Sequence, residues 1–189
     1  MGRIRTPLPV KYFCGILHAP AVTPSAIRAG LQELLGPIDD EFGPLEFDYT
    51  CYYQPAMGAH LVRRIYSFVG LQSPAELARI KCATNALERD LASTTGRGVS
   101  RPVNLDPGYM ELAKLILAST KNFYHRIYLG QGIYAELTLI YQRRHWKTLP
   151  WTFPDYAGGA YWPFFTRVRR TFQRQLQSLA GDLPTSPAE

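Results

Sequence analysis

Apolar and polar positions alternate between two periodicities along this chain. Lys11 to Leu17 is a short apolar run of strand type. Thr23 then supplies an N-cap and Pro24 a first helical position, and Ile27, Leu31, Leu34 and Leu35 recur at helical spacing until Gly36-Pro37 stops the helix. Leu45 to Tyr53 reads as extended and aromatic, and Leu61 to Val69 as another strand. Ser73-Pro74-Ala75-Glu76 has the form of a capping box, in which serine and glutamate satisfy each other's orphan amides. Leu77, Ile80, Thr84, Leu87 and Leu91 mark one face of the helix that follows, and Ser93 to Gly98 ends it as a loop. Arg101 to Leu105 fits a fourth strand. The order is β-α-β-β-α-β, the split arrangement of ferredoxin-like domains.

Beyond this core, Asp106-Pro107 repeats the cap-then-proline signal and predicts a third helix with Leu112, Leu115, Ile116 and Ser119 on one face. A hairpin follows, with His125 to Leu129 and Ile133 to Tyr141 flanking the loop Gly130-Gln131-Gly132. Trp151 to Tyr156 is an aromatic, proline-containing loop. A last helix turns Phe164, Phe165, Val168, Phe172, Leu176 and Leu179 inward and its arginines outward. The expected fold class is therefore α+β: one domain over residues 1–180, with a C-terminal extension of helix, hairpin and helix. The Pro/Ser-rich residues 181–189 are expected to form a disordered tail.

Composition narrows the classes. A chain of 189 residues has room for one domain, and its formal charge of +6 with a pI near 9.3 points to anionic partners. Much of that charge sits in Arg143-Arg144-His145-Trp146-Lys147 and between Arg167 and Arg174. Cys14, Cys51 and Cys82 are odd in number and lack CxxC spacing, which excludes a disulfide framework and a zinc site, and reduced thiols imply a cytoplasmic location. The N-terminus carries no apolar signal region, and no run approaches the length of a membrane span.

The sequence contains no Walker A loop, dinucleotide fingerprint, H-E-x-x-H or G-x-S-x-G. Polar residues of chemical interest gather instead between Arg101 and Tyr156. On a strand, Asn104 and Asp106 share one side, opposite Val103 and Leu105, and put a carboxylate at a sheet edge; Asp106 serves equally well as an N-cap. Ser119-Thr120-Lys121-Asn122 with His125-Arg126 suits a phosphate or carboxylate, or else a helix C-terminus with favourable charge. The hairpin loop pairs Leu129 with Ile133, Tyr128 with Tyr134 and Arg126 with Glu136. That puts Arg126, Tyr128, Tyr134, Glu136 and Thr138 on one face, as a cross-strand ion pair beside an aromatic pair or as a polar wall with a working glutamate. Trp151 to Tyr156 either caps a pocket or pins the last helix.

These stretches also carry a resemblance. Pro9-Val10-Lys11, either Phe42-Gly43-Pro44 or the turn Gly36-Pro37-Ile38-Asp39, Phe47-Asp48-Tyr49-Thr50, Tyr52-Tyr53 and Met57-Gly58 match in the first half. Val103 to Tyr109, Lys114 to Lys121, His125 to Leu129, Gly132 to Tyr141 and Trp151 to Tyr156 match in the second. Together they resemble the bacterial domain-of-unknown-function family four-four-one-six, over nearly everything from Pro9 to about Arg170. The resemblance implies no catalytic residues. Members are sometimes labelled GTP-binding, a label to which the missing P-loop lends nothing.

Three functions follow. The first is binding or transformation of a small anionic ligand, with Asp106, Glu136 and His125 as catalytic groups and Arg101, Asn104, Lys121, Arg126, Tyr128 and Tyr134 binding it; two carboxylates with His125 and Asn104 suit Mg²⁺ or Mn²⁺. The second is a nucleic-acid-binding module using Arg143, Arg144, Lys147 and the Arg167–Arg174 face on phosphates, with tyrosines stacking bases. The third is a scaffold domain without chemistry.

Overall fold

A computed structural model describes residues 2–50, 52–94 and 99–181. Its strands are β1 (Val10–His18), β2 (Ile38–Glu46), β3 (Val62–Gln72), β4 (Val103–Glu111), β5 (Lys114–Ser119), β6 (Arg126–Gly130), β7 (Ile133–Gln142) and β8 (His145–Lys147). Its helices are α1 (Pro24–Leu35), α2 (Gln54–Met57), α3 (Leu77–Thr94), α4 (Pro154–Ala157) and α5 (Trp162–Gly181). The strands form one antiparallel sheet in the order β2-β3-β1-β4-β5-β7-β6, with β8 also paired to β7. The first four strands have the split order expected for β-α-β-β-α-β, and the fold is α+β.

Alternation along β1 explains the layers. Val10, Tyr12, Cys14 and Ile16 point to one face, where they meet Ile27, Leu31 and Leu35 of α1 and Leu77, Ile80 and Leu91 of α3. Phe13 points to the other face, packing with Ile65, Met110, Leu115 and Leu139 under Phe164, Phe165, Val168 and Phe172 of α5. A third cluster, Leu17, Ala19, Phe47, Met57 and Leu61, seats the segment between β2 and β3 against one end of the sheet. Among the described residues no helix is long and apolar enough to cross a membrane.

Several boundaries differ from the sequence reading. The strand expected at Leu45 to Tyr53 lies earlier, at Ile38–Glu46, directly after the turn at Gly36-Pro37. Ser73 accepts a bond from the Ala75 N–H, but Glu76 turns to Arg79, and a 3₁₀ turn at Pro74–Glu76 leads into α3. Ser93 and Thr94 are still helical, and the rest of the expected loop, residues 95–98, falls outside the described residues. So do Cys51 and the expected tail apart from Gly181, which ends α5. Leu179 of α5 is exposed rather than inward.

The largest correction is the third helix. Asp106 to Ser119 forms the second half of β4, a tight turn and β5. Pro107 here ends a ladder rather than starting a helix. It lies on the β4 edge that faces β5, and without an N–H it cannot donate across. The β4–β5 pairing accordingly runs only from Gly108 opposite Leu117 to Glu111 opposite Lys114, and Val103 to Pro107 pair with β1 alone.

Candidate functional site

Where β4 loses β5, its edge groups at Leu105 are taken by side chains of α3. Glu88 accepts the Leu105 N–H at 2.7 Å, and the Lys81 ammonium donates to the Leu105 carbonyl at 2.6 Å. Both α3 residues are buried. They satisfy backbone groups that a neighbouring strand would otherwise pair. Arg101 binds Glu88 at 2.8 Å and also the Asn104 amide oxygen; Asn104 in turn donates to Asp106, which Lys81 approaches at 3.4 Å. Burial pushes the Glu88 carboxyl above its ordinary range, against the pull of Lys81, Leu105 and Arg101. Asp106 is therefore no helix cap. Its carboxylate closes a polar chain along an open strand edge, and a quarter of its side chain faces solvent.

Asp106 lies opposite Gly15 of β1, and Asn104 opposite Leu17, which is itself paired with Arg63 of β3. Arg63 is almost fully buried on the α5 face. Its Nη2 donates to Asp155 of α4 at 2.7 Å, and the Tyr161 hydroxyl donates to the same carboxylate oxygen at 3.1 Å. Burial works against the guanidinium charge, yet Asp155, Tyr156, Tyr161 and Asp106 more than compensate and hold its pKa above the ordinary value. Arg63 Nε and Nη1 and the Tyr156 hydroxyl are buried with no hydrogen-bond partner among the described residues. They converge on Gly15, where an added Cβ would stand 3.0 Å from the Tyr156 oxygen and 3.5 Å from Nη1. Tyr53 borders the same centre; burial, and then Asp106, push its phenol up to about 12.

The hairpin forms the second group. Arg126 lies opposite Glu136 and Tyr128 opposite Tyr134, but a register shift sets Gly130, not Leu129, against Ile133. Gln131 and Gly132 both adopt positive φ, so the turn is tighter than a three-residue loop. One oxygen of buried Glu136 receives Arg126 Nε at 2.7 Å and lies 3.0 Å from His125 Nε2. Its other oxygen and His125 Nδ1 are buried without a hydrogen-bond partner among the described residues. The imidazole stacks on Trp151, with centroids 4.8 Å apart and planes 8° apart. Lys121 contacts the Tyr52 hydroxyl, which lowers that phenol's pKa, and its carbonyl accepts from Arg126.

The fold therefore divides the expected site residues. Arg101, Asn104 and Asp106 form one network, and Lys121, His125, Arg126 and Glu136 another. Tyr128, exposed, and Tyr134, half-buried, meet near the hairpin tip with their ring planes tilted at 55°. Asp106 and Glu136 share a sheet face but stand two strands and two residues apart, roughly 12 Å between Cα atoms by standard strand spacings. Among the described residues no three His, Cys, Asp or Glu side chains gather to hold a metal, so the expected Mg²⁺ or Mn²⁺ has no ligand set. Sequence reasoning missed Arg63, Lys81, Glu88, Asp155 and Tyr161. Arginine inside the apolar run Leu61 to Val69, and aspartate inside the aromatic loop, were the available signals.

The chain belongs to the family described as domain of unknown function (DUF4416), whose model matches residues 8–172. No curated protein and no solved structure gives a significant match.

Proposed function

We propose that this member of the family binds a small ligand bearing a phosphate or carboxylate where β4 and β5 part, and that His125 exchanges a proton with it. The observation that carries the reading is Arg63. A guanidinium has five N–H donors, and among the described residues only Nη2 has an acceptor, Asp155. An unsatisfied buried donor costs about 1–3 kcal/mol, whereas an oxyanion forms short, charge-assisted bonds with a guanidinium fork. The Tyr156 hydroxyl adds a neutral donor beside it. Asp106 and Arg101, partly exposed, form the lip of the crevice, where a ligand hydroxyl or amine would meet Asp106 and a second anionic group Arg101.

Glu136 orients the proposed base. Its carboxylate takes the Nε2 side of His125, leaving Nδ1 to accept or return a proton. Arg126, on the same carboxylate oxygen, fixes that geometry.

Calorimetric titration with inorganic phosphate and with malonate, against sodium chloride at equal ionic strength, tests the reading. One of the two anions is expected to bind saturably. Tyr156→Phe, which removes a single oxygen, is expected to weaken that binding about tenfold with little change in unfolding temperature. Binding equal to wild type in Tyr156→Phe, or no saturable binding of either anion, would refute the assignment.

A further inference from the structure

On the same sheet face but beyond Trp146, the β7–β8 hairpin and the first turns of α5 border an open cleft of about 660 Å³. It is lined by Arg144, His145 and Trp146 on one side and by Trp162, Thr166, Arg167 and Arg170 on the other. The two basic segments of the sequence thus meet in one concavity. We infer that this cleft binds a small molecule carrying a phosphate on a flat ring system, at a site separate from the Arg63 crevice.

Its floor is aromatic and fixed. Trp146 Nε1 donates to the Thr166 hydroxyl at 3.1 Å, and that hydroxyl donates to the Trp162 carbonyl at 2.7 Å. Trp162 Nε1 donates to the Tyr156 carbonyl at 3.0 Å. Both indole N–H groups are therefore satisfied inside the protein; Trp146 is buried, and half-buried Trp162 offers a ligand carbon surface, which suits a flat ring.

The rim is cationic. Arg167 is occupied by a bidentate pair with Asp40, both contacts 3.0 Å. Arg144 and Arg170, both exposed, have no carboxylate or hydrogen-bond partner among the described residues. Arg144 is held at φ 66° and its neighbour Arg143 at φ 51°, a left-handed turn that asparagine and glycine adopt more readily. Two unpaired guanidiniums over an aromatic floor match a phosphate joined to a ring, and the volume lies in the range of small-molecule sites.

The charge distribution favours a small ligand over a nucleic acid. Arg169 donates to the Leu112 carbonyl at 2.7 Å and lies over the Tyr141 ring at 4.0 Å. With Arg167 also engaged, α5 keeps Arg170 at the cleft and Arg174, bonded only to the Thr171 hydroxyl, one turn beyond it, an interrupted row rather than the continuous stripe that a polyanion would track.

The test uses AMP and naphthyl phosphate as probes, with adenosine and inorganic phosphate as their separated halves. Calorimetry and tryptophan fluorescence are the readouts. At least one ring-bearing phosphate is expected to bind saturably and quench fluorescence, about tenfold or more tightly than either half. Arg144→Ala with Arg170→Ala, both on the surface, is expected to weaken that binding at least tenfold at unchanged unfolding temperature. Tyr156→Phe should leave it unaltered, which separates this site from the Arg63 crevice. The inference is overturned if neither probe binds at millimolar concentration, or if the double variant binds like wild type. It is overturned in favour of a nucleic-acid surface if a twelve-nucleotide single strand binds more tightly than AMP with a salt dependence of several phosphates.

Discussion

Arg63 of β3 and Asp155 of α4 form an ion pair at 2.7 Å although 92 residues separate them, and neither side chain is more than 6% exposed. The pair ties the segment before α5 to the start of β3, one strand in from the sheet edge. Removing one partner leaves the other charged and desolvated, so Asp155→Ala is expected to cost about 3–5 kcal/mol in urea unfolding. Arg63→Met with Asp155→Leu should recover part of that loss. A loss below about 1 kcal/mol in Asp155→Ala would show that the pair is not buried as described.

The same pair shows what was legible in the sequence. Strands β1 and β3, helices α1, α3 and α5 and the hairpin announced themselves through local periodicity, since each buries one face against a partner. The pairing of Arg126 with Glu136 agrees with a count outward from a three-residue loop only because the irregularity between Tyr128 and Gly130 makes up for the tighter turn. Asp106-Pro107 was misread because a missing N–H ends a strand ladder as readily as it begins a helix. Leu112, Leu115, Ile116 and Ser119 fit a helical face, but Leu115 and Leu117 share one face of β5 and turn toward α5. Lys81 and Glu88 sit one helical turn after Leu77 and Thr84, beside the apolar face of α3, but nothing local says that charged residues there will be buried; the open edge of β4 gives them their partners. No local pattern could bring Arg63 to Asp155.

Gly15 gives a test of the crevice geometry. A methyl there would stand 3.0 Å from the Tyr156 oxygen, tighter than ordinary contact. Gly15→Ala is expected to destabilise by about 1–3 kcal/mol, as overpacked cores do. Adding Tyr156→Phe removes the clashing oxygen, so the double variant should be more stable than Gly15→Ala alone. Strict additivity of the two changes in denaturant unfolding would contradict the contact.

His18 sets a pH dependence. It is buried, its Nδ1–H donates to the Ala19 carbonyl at 2.9 Å, and Nε2 has no hydrogen-bond partner among the described residues. Burial first, and then Arg64, pull its pKa below the ordinary 6.5, while the Ala19 bond opposes them. The unfolded chain therefore takes up this proton first as pH falls. The contribution to stability is complete above pH 6.5 and is lost as pH drops through the folded-state value. His18→Asn keeps a donor for Ala19 without titrating, and should flatten the stability profile in that window. Parallel profiles for the two proteins would exclude His18 as the source.

The turn at Arg143 and Arg144 weighs stability against charge. Two consecutive non-glycine residues at positive φ are strained in a two-residue hairpin turn, where Asn-Gly is the favoured pair. Arg143→Asn with Arg144→Gly is expected to stabilise by about 1 kcal/mol in thermal or denaturant unfolding. An unchanged or lowered stability would mean that the arginines make compensating contacts.

The chemistry proposed for His125 rests on which ring nitrogen carries the proton. Glu136 presents one oxygen to both Arg126 Nε and His125 Nε2. An ionised carboxylate only accepts, so the Nε2 partner must donate, and neutral His125 is expected in the Nε2–H form with an unprotonated Nδ1. Nitrogen-15 NMR distinguishes the forms, because a protonated ring nitrogen and one with a free lone pair resonate far apart. Wild type should show Nε2 protonated and Nδ1 free. In Glu136→Gln the side-chain amide can donate as well as accept, so the tautomer preference should weaken, while the stack on Trp151 keeps the ring in place. A bare Nε2 with a protonated Nδ1 in wild type would mean that Glu136 is not acting as the acceptor. The free lone pair would then face Glu136 instead of a ligand, and His125 could not be the base.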